Sequence, residues 1–232
     1  MINMILIKKI LKKVRLFIFN EYREKMLSAY IANQILLLID SKTKNVKILD
    51  YGSGMEPIVA NLIYKKLINK LPTKKIDIDC YDFYSDSNKI KLKSKYPYLN
   101  FSDFSKFNNN NSTYDFSLVL DVLHHVDITK ISKIDKIIQS LVNKCKIILI
   151  KDHIEKNIIT RMALILMDFI GNFYNNVKIP SKYFNKETYN NLISRNKLIE
   201  IKRITNKFYY KKYWLLFSYP ELHFISILKI NE

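Results

Sequence analysis

The chain has 232 residues, 48% hydrophobic and 26% charged, with 3 Gly, 5 Pro and 2 Cys. This excludes collagen, coiled coil and a wholly disordered chain; it leaves one sizeable domain, or a core domain with additions, that buries its core without staples. Cys80 and Cys145 are too few for a disulfide framework or a four-ligand zinc site, so a reducing compartment is the simpler reading. The net charge of +18 rests on 34 Lys and only 5 Arg, and Lys, Ile and Asn, all with AT-rich codons, fill 93 positions. A solvated lysine surface explains this more simply than a groove built to grip phosphates, which would favour Arg; an anionic partner is the other reading.

Apolar positions Ile7, Ile10, Leu11, Val14 and Phe17 or Ile18 recur at helical spacing between lysines. They predict helix over 1–40, with a second helical pattern over about 22–39. Residues 1–45 form an N-terminal helical extension whose basic face either rests on an anionic membrane surface or packs as a lid on the main domain. The longest uncharged run, Met26 to Ile39, is 14 residues and includes Asn33 and Gln34. A spanning helix needs roughly 20 apolar residues. No signal-peptide core follows the basic N-terminus, and a cytoplasmic chain is expected.

From residue 46 to 232 strands and helices alternate. Strands are predicted at Val46–Tyr51, Ile76–Tyr81, Leu99–Phe101, Phe116–Leu120, Lys146–Ile150, Leu198–Ile204 and His223–Ile230. Helices are predicted at 57–70, 86–95, Ile131–Val142, 157–172 and 186–194. Such alternation gives an α/β fold, Rossmann-like, with a mostly parallel sheet and helices on both faces. No linker marks a second domain.

The strongest local signal is Ile48-Leu49-Asp50-Tyr51-Gly52-Ser53-Gly54-Met55-Glu56-Pro57. Two of the three glycines stand one residue apart after a strand, where a tight turn lets a ligand approach the backbone. Pro57 suits the first turn of the next helix. The dinucleotide fingerprint fails, because its third glycine would fall on Pro57, and the phosphate loop is absent. Glu56 beside a helix N-terminus would compete with a pyrophosphate for the same positive dipole end. Asp50 and Glu56 instead suit a ligand carrying positive charge, such as the ammonium and sulfonium of S-adenosylmethionine; Glu56 as an ordinary first-turn acid is the plainer alternative. Asp82, ending the second strand, can take both ribose hydroxyls or cap the next segment. Asp103 can accept from an adenine amino group while Phe104 packs on the ring, or Asp103 is a turn residue.

These segments, with Tyr114-Asp115-Phe116-Ser117-Leu118-Val119-Leu120-Asp121-Val122-Leu123-His124-His125-Val126, resemble a class I S-adenosylmethionine-dependent methyltransferase. The likeness is to the small-molecule branch that includes the quinone-biosynthesis enzymes, and it runs from about Val46 to Asp152. It implies seven strands with the last antiparallel, S-adenosyl-L-methionine as cofactor and methyl transfer to a small-molecule acceptor. It also implies cofactor contacts at Asp50, Gly52, Gly54, Asp82, Asp103 and Asp121. Position 56 departs from the family, which has glycine or a small residue there.

A sulfonium is a good leaving group, so proximity supplies much of the rate, and a base helps for a hydroxyl or protonated amine. Base candidates stand at strand ends: His124 and His125 after the fourth strand, Asp152 and His153 after the fifth. His125 comes first, because the family pattern often keeps histidine there; the alternative is a histidine that ties the loop to backbone. No spacing matches a metal motif, so no metal is expected. Residues 157–195 resemble a substrate-side insertion, and the aromatic–lysine stretch Lys207–Phe217 could cover a hydrophobic acceptor, rest on a membrane or stack bases. The amino-directed DNA branch is disfavoured, since Asp121-Val122-Leu123-His124 lacks its Pro-Pro-aromatic signature. An RNA methyltransferase and a non-enzymatic cofactor-binding relative are the competing functions.

Overall fold

Strand β1 (Asn45–Tyr51) lies near the centre of a seven-stranded sheet in the order β3-β2-β1-β4-β5-β7-β6. The computed structural model describes residues 21–126, 130–172, 179–205 and 220–230. The expected helix over 1–20 and the stretch at 207–217 lie outside them. In chain order the elements are α1 (Glu21–Leu38), β1, α2 (Ile58–Lys70), β2 (Lys75–Asp82), α3 (Asp86–Lys95), β3 (Leu99–Asp103) and β4 (Tyr114–Leu120). Then come α4 (Ile131–Val142), β5 (Cys145–His153), α5 (Ile158–Asn172), α6 (Lys186–Arg195), β6 (Leu198–Thr205) and β7 (His223–Ile230). The predicted strands are all present, most a residue or more longer than expected. β1 to β5 pair in parallel, and β7 runs antiparallel between β5 and β6.

Central strands buried on both faces read as continuous apolar runs rather than as alternation. In β1, Ile48 enters one core cluster and Leu49 the other; in β4, Leu118 and Val119 divide the same way. The first face is covered by α1 through Leu27, Ile31, Ala32 and Ile35, and by α2 through Ala60, Ile63 and Leu67. The second is covered by α4 through Ile134, Ile138 and Leu141, and by α6 through Tyr189, Leu192 and Ile193. Spacings of three and four residues set these helical stripes, and each buried Leu or Ile contributes about 1.5–3 kcal/mol. A capping box starts α6: the Asn185 side chain accepts from the Thr188 N–H, and the Thr188 hydroxyl accepts from the Asn185 N–H. α1, the described part of the expected N-terminal extension, thus shares a core with the sheet.

The strand order reverses between β1 and β4. In an open α/β sheet, the carboxyl edge at that reversal forms a crevice. The glycine turn after β1, Asp82 after β2 and the histidines after β4 and β5 all stand along that edge. Among the described residues no helix is long and apolar enough to cross a membrane.

Candidate functional site

The turn after β1 is held by backbone donors. The Gly52 and Ser53 N–H groups donate to the Tyr81 carbonyl at 2.8 and 3.2 Å, and the Gly54 N–H donates to Asp82 Oδ2 at 2.7 Å. Gly52 and Gly54 both lie at positive φ, +78° and +69°. A Cβ on Gly52 would stand 2.5 Å from Val122 Cγ2, so only glycine fits there; a Cβ on Gly54 would meet nothing within 4 Å and would fill open space. Gly52 therefore closes the turn, whereas Gly54 leaves room for a ligand against the backbone.

Two clefts flank the turn. One, of about 240 Å³, is lined by Arg23, Asp50, Gly52, Ser53, Glu56 and Asp121 together with the first turn of α2. The other opens between Gly54, Glu56 and the α3 residues Lys91 and Lys95. Glu56 lines both and pairs with Lys95 at 3.4 Å. Asp50 is 5% exposed, and burial, reinforced by the Asp82 charge, pushes its carboxyl up to about 7. A cation arriving beside it would relieve that cost.

Asp82 ends β2 in register with Asp103 on β3. Its second oxygen accepts from the Phe83 N–H at 2.7 Å. Asp103 caps a single 3-10 turn, accepting from the Ser105 N–H at 2.8 Å, and that bonding holds its carboxyl below the usual range. Phe104 packs on Tyr51 and against Phe83, with ring centroids at 4.7 and 5.0 Å. Phe83 itself is 77% exposed, which leaves an open aromatic edge beside Asp82.

At the end of β4, Asp121 adopts φ +58°, a left-handed conformation that Asp enters more readily than most residues other than glycine. Its carboxylate is bonded to Lys151 from β5 and to Arg23 Nη2 from α1, the latter at 2.7 Å. The two cations outweigh burial and hold Asp121 well below the ordinary carboxylate value. Next to it lies a buried histidine cluster. His124 Nδ1 is 2.6 Å from Asp152 Oδ1, and the same carboxylate accepts from the His124 and His153 backbone N–H groups. These bonds hold Asp152 ionised, so His124 Nδ1 is the donor to it, and the second proton of the ring, on Nε2, is the one that titrates. Nε2 faces Asp168 Oδ2 of α5 at 3.5 Å, and that oxygen accepts from the Tyr183 hydroxyl at 2.6 Å. Although burial opposes it, the Asp152 and Asp168 charges raise the His124 pKa above its usual value; burial, followed by Lys151, pushes His153 well below it.

His125, placed first from sequence, lies with its ring 4.0 Å from that of His124, tilted by 47°, and is half-buried, but Asp152 is bonded to His124. Asp121, His124 and His153 bring ligand atoms within 4.8 Å of one another, a grouping that sequence spacing does not reveal. Both Asp121 oxygens are already engaged by cations there.

No family model matches the chain, and no curated protein matches it. Solved structures do. Mitomycin 7-O-methyltransferase MmcR superposes with a TM-score of 0.58 at 10% identity, over 89% of this chain and 54% of that one. LepI in complex with SAM gives 0.57 at 13% identity, over 86% and 46%. An O-methyltransferase family 2 protein from Planctomyces limnophilus in complex with apigenin gives 0.56 at 12%, over 88% and 62%.

The fold is that of a class I methyltransferase.

At these identities the likeness is one of architecture, and the chain spans about half the length of the structures it matches. On the methyltransferase fold, the expected cofactor residues fall into two groups. Asp50, Gly52, Glu56 and Asp121 line one cleft; Gly54, Asp82, Asp103 and Phe104 continue the same edge across β2 and β3. Sequence reasoning missed Arg23, Lys151 and Phe83. Arg23 stands 98 residues from Asp121, beyond any local motif, though the rarity of Arg in this chain marks each one. Lys151 was more legible, because it interrupts the apolar run Ile147–Ile150 of an internal strand.

Proposed function

We propose that this chain binds S-adenosyl-L-methionine along the β1–β4 crevice and transfers its methyl group to a hydroxyl of a small apolar acceptor, with His124 as the base. The observation that carries the reading is one sheet edge holding both the open Gly54 turn beside buried Asp50 and the His124–Asp152 pair. Bound there, the donor supplies an electrophilic methyl group on a sulfonium. Asp50 and Glu56 would meet its positive end, Asp82 the ribose hydroxyls, and Asp103 with Phe104 and Phe83 the adenine. Asp152 fixes the His124 tautomer and stabilises the imidazolium formed when Nε2 takes the acceptor's proton. In the structure Asp168 of α5 and Tyr183 stand against that nitrogen, so α5 has to shift for the acceptor hydroxyl to reach it. α5 also exposes Ile158, Ile159, Met162 and Leu166, an apolar face turned away from buried Asp168 that supports a peripheral contact with a membrane surface. The free, buried Cys80 and Cys145 favour a reducing compartment, and we take it to be the cytoplasm.

Calorimetry with S-adenosylhomocysteine tests the donor site, and methyl transfer from radiolabelled donor to a panel of phenols tests the reaction. No binding at millimolar ligand would remove the enzyme reading. Gly54→Arg places a long side chain in the open space at positive φ and is expected to weaken that binding at least ~100-fold. Unchanged affinity would dissociate the turn from the donor.

Asp50 adds a pH dependence with a definite sign. Below about 7 it is protonated in the free protein. A cationic ligand favours the carboxylate, so binding releases a proton. Affinity is expected to rise with pH, by at most about tenfold per unit, and to flatten above the free-protein value. Calorimetry in buffers of different ionisation enthalpy reads the proton directly, and a flat profile would take Asp50 out of contact with the ligand's cation.

A further inference from the structure

Arg161, Leu164 and Asp168 stand at i, i+3 and i+7 on one face of α5, and each holds the helix in a different way. Arg161 makes a two-pronged bond to Glu155, through Nε at 2.8 Å and Nη2 at 2.6 Å, and the Glu155 carboxylate also accepts from the Tyr183 N–H at 3.1 Å. Asn157 Oδ1 accepts from the Thr160 N–H, and Thr160 Oγ1 from the Asn157 N–H, both at 2.9 Å. The first turn is therefore anchored. Beyond it the apolar hold is thin. Among the described residues of α5 only Leu164 and Asp168 are buried. Leu164 belongs to a small cluster with Tyr183 and Leu222, apart from the two main cores, and Met167 touches the first core only from its edge. The remaining tie is polar. Burial, reinforced by the Asp168 charge, keeps the Tyr183 hydroxyl protonated, and it donates to Asp168 Oδ2 at 2.6 Å. That same oxygen stands 3.5 Å from His124 Nε2, in the place the acceptor hydroxyl has to take. A helix with few buried apolar contacts is drawn from the least stable part of a fold and opens locally.

We propose that the Asp168–Tyr183 bond is a clasp that closes α5 over His124, and that the acceptor reaches the base only when the clasp opens. This rests on the reading of His124 as the base and deepens it. Tyr183 is the fixed half of the clasp. Ile154 and Phe184 form a β-bridge, and the Glu155 N–H donates to the Phe184 carbonyl at 2.8 Å, so the 183–184 segment stays with the end of β5. Asp168 is the moving half, and the anchored turn at Arg161 is the pivot. Opening exchanges the Tyr183 and His124 contacts of Asp168 for water on Asp168 and the acceptor hydroxyl on Nε2. Solvent then satisfies a carboxylate that the closed form holds out of water, which offsets the lost bond. Closed, the clasp keeps water away from Nε2. The apparent affinity for the acceptor is the intrinsic one multiplied by the open fraction, so Asp168 and Tyr183 set that affinity without belonging to the acceptor's final contacts.

Tyr183→Phe removes the clasp and keeps the ring that packs with Leu164 and Leu222. Hydrogen–deuterium exchange is expected to quicken roughly 10- to 100-fold at the amides of 164–168, the loss of one bond to a charged group, while the amides of β5 keep their rates. Carbethoxylation by diethylpyrocarbonate, read residue by residue by mass spectrometry, is expected to rise by a similar factor at His124 and to stay within about twofold at half-buried His125. In methyl transfer to the phenol panel the acceptor KM is expected to fall, while S-adenosylhomocysteine affinity stays within about twofold, a split that a merely weakened fold would not produce. Asp168→Asn keeps an oxygen for the Tyr183 hydroxyl and is expected to hold the helix more nearly closed than Tyr183→Phe does. Unchanged exchange and unchanged His124 reactivity in Tyr183→Phe would overturn the clasp. Loosening of the helix with no fall in acceptor KM would mean that the acceptor arrives by another route, and the gating role would be wrong. If the unaltered protein methylates no phenol while exchange and His124 reactivity still respond, the clasp stands and the proposed reaction has failed.

Discussion

His124→Ala is expected to lower turnover by about 10²–10⁴-fold, the usual contribution of a positioned base, while S-adenosylhomocysteine affinity changes by less than about threefold. The split follows from position. His124 stands at the end of β4 between Asp152 of β5 and Asp168 of α5, with no place in the lining of the donor cleft. Asp152→Asn separates orientation from charge. The amide can keep the ring placed but cannot offer a carboxylate to the imidazolium, so the raised His124 pKa falls. Because the working form is neutral, turnover rises with pH through that pKa, and the rise is expected to move to lower pH in Asp152→Asn. His125→Ala is the control, since His125 is not the partner of Asp152. A loss of turnover in His125→Ala with His124→Ala unaffected would transfer the base to the neighbouring ring.

Gly52→Ala is expected to destabilise the protein by roughly 2–5 kcal/mol, from a left-handed backbone imposed on alanine together with overpacking against Val122. The two causes separate in a double-mutant cycle. Val122→Ala clears the atoms that stand 2.5 and 3.1 Å from the new Cβ but leaves φ at +78°. The pair should therefore recover the steric part, about 1–3 kcal/mol, and retain the backbone part. Urea unfolding of the four proteins measures both. A Gly52→Ala change within about 0.5 kcal/mol of the unaltered protein would show that the turn relaxes freely and does not depend on Val122.

The contrast between the two glycines bears on how a sequence is read. Both stand in one Gly-x-Gly pattern and both take positive φ, so the local residues explain the turn. They do not reveal that Val122, 70 positions away, leaves no room for a side chain on Gly52, whereas at Gly54 only the backbone conformation calls for glycine and the Cβ position faces open space. A similar ambiguity affects Leu123-His124-His125. The family pattern put His125 first of the two adjacent histidines; a single 3-10 turn after β4 instead brings His124 to Asp152.

The sequence by itself determined the layered α/β architecture, the positions of the strands, and the placement of Asp50, Asp82, Asp103 and the histidine pair at strand ends. It could do so because periodicity, glycine turns and capping residues act over a few residues. Only the tertiary structure decided what each charge meets. Arg23 joins Asp121 from α1, Lys151 from β5 takes the other oxygen, and Asp168 with Tyr183 from the 157–195 region covers His124. Those pairings depend on strand order and on which helix covers which face, and the large desolvation cost of a buried charge makes them specific.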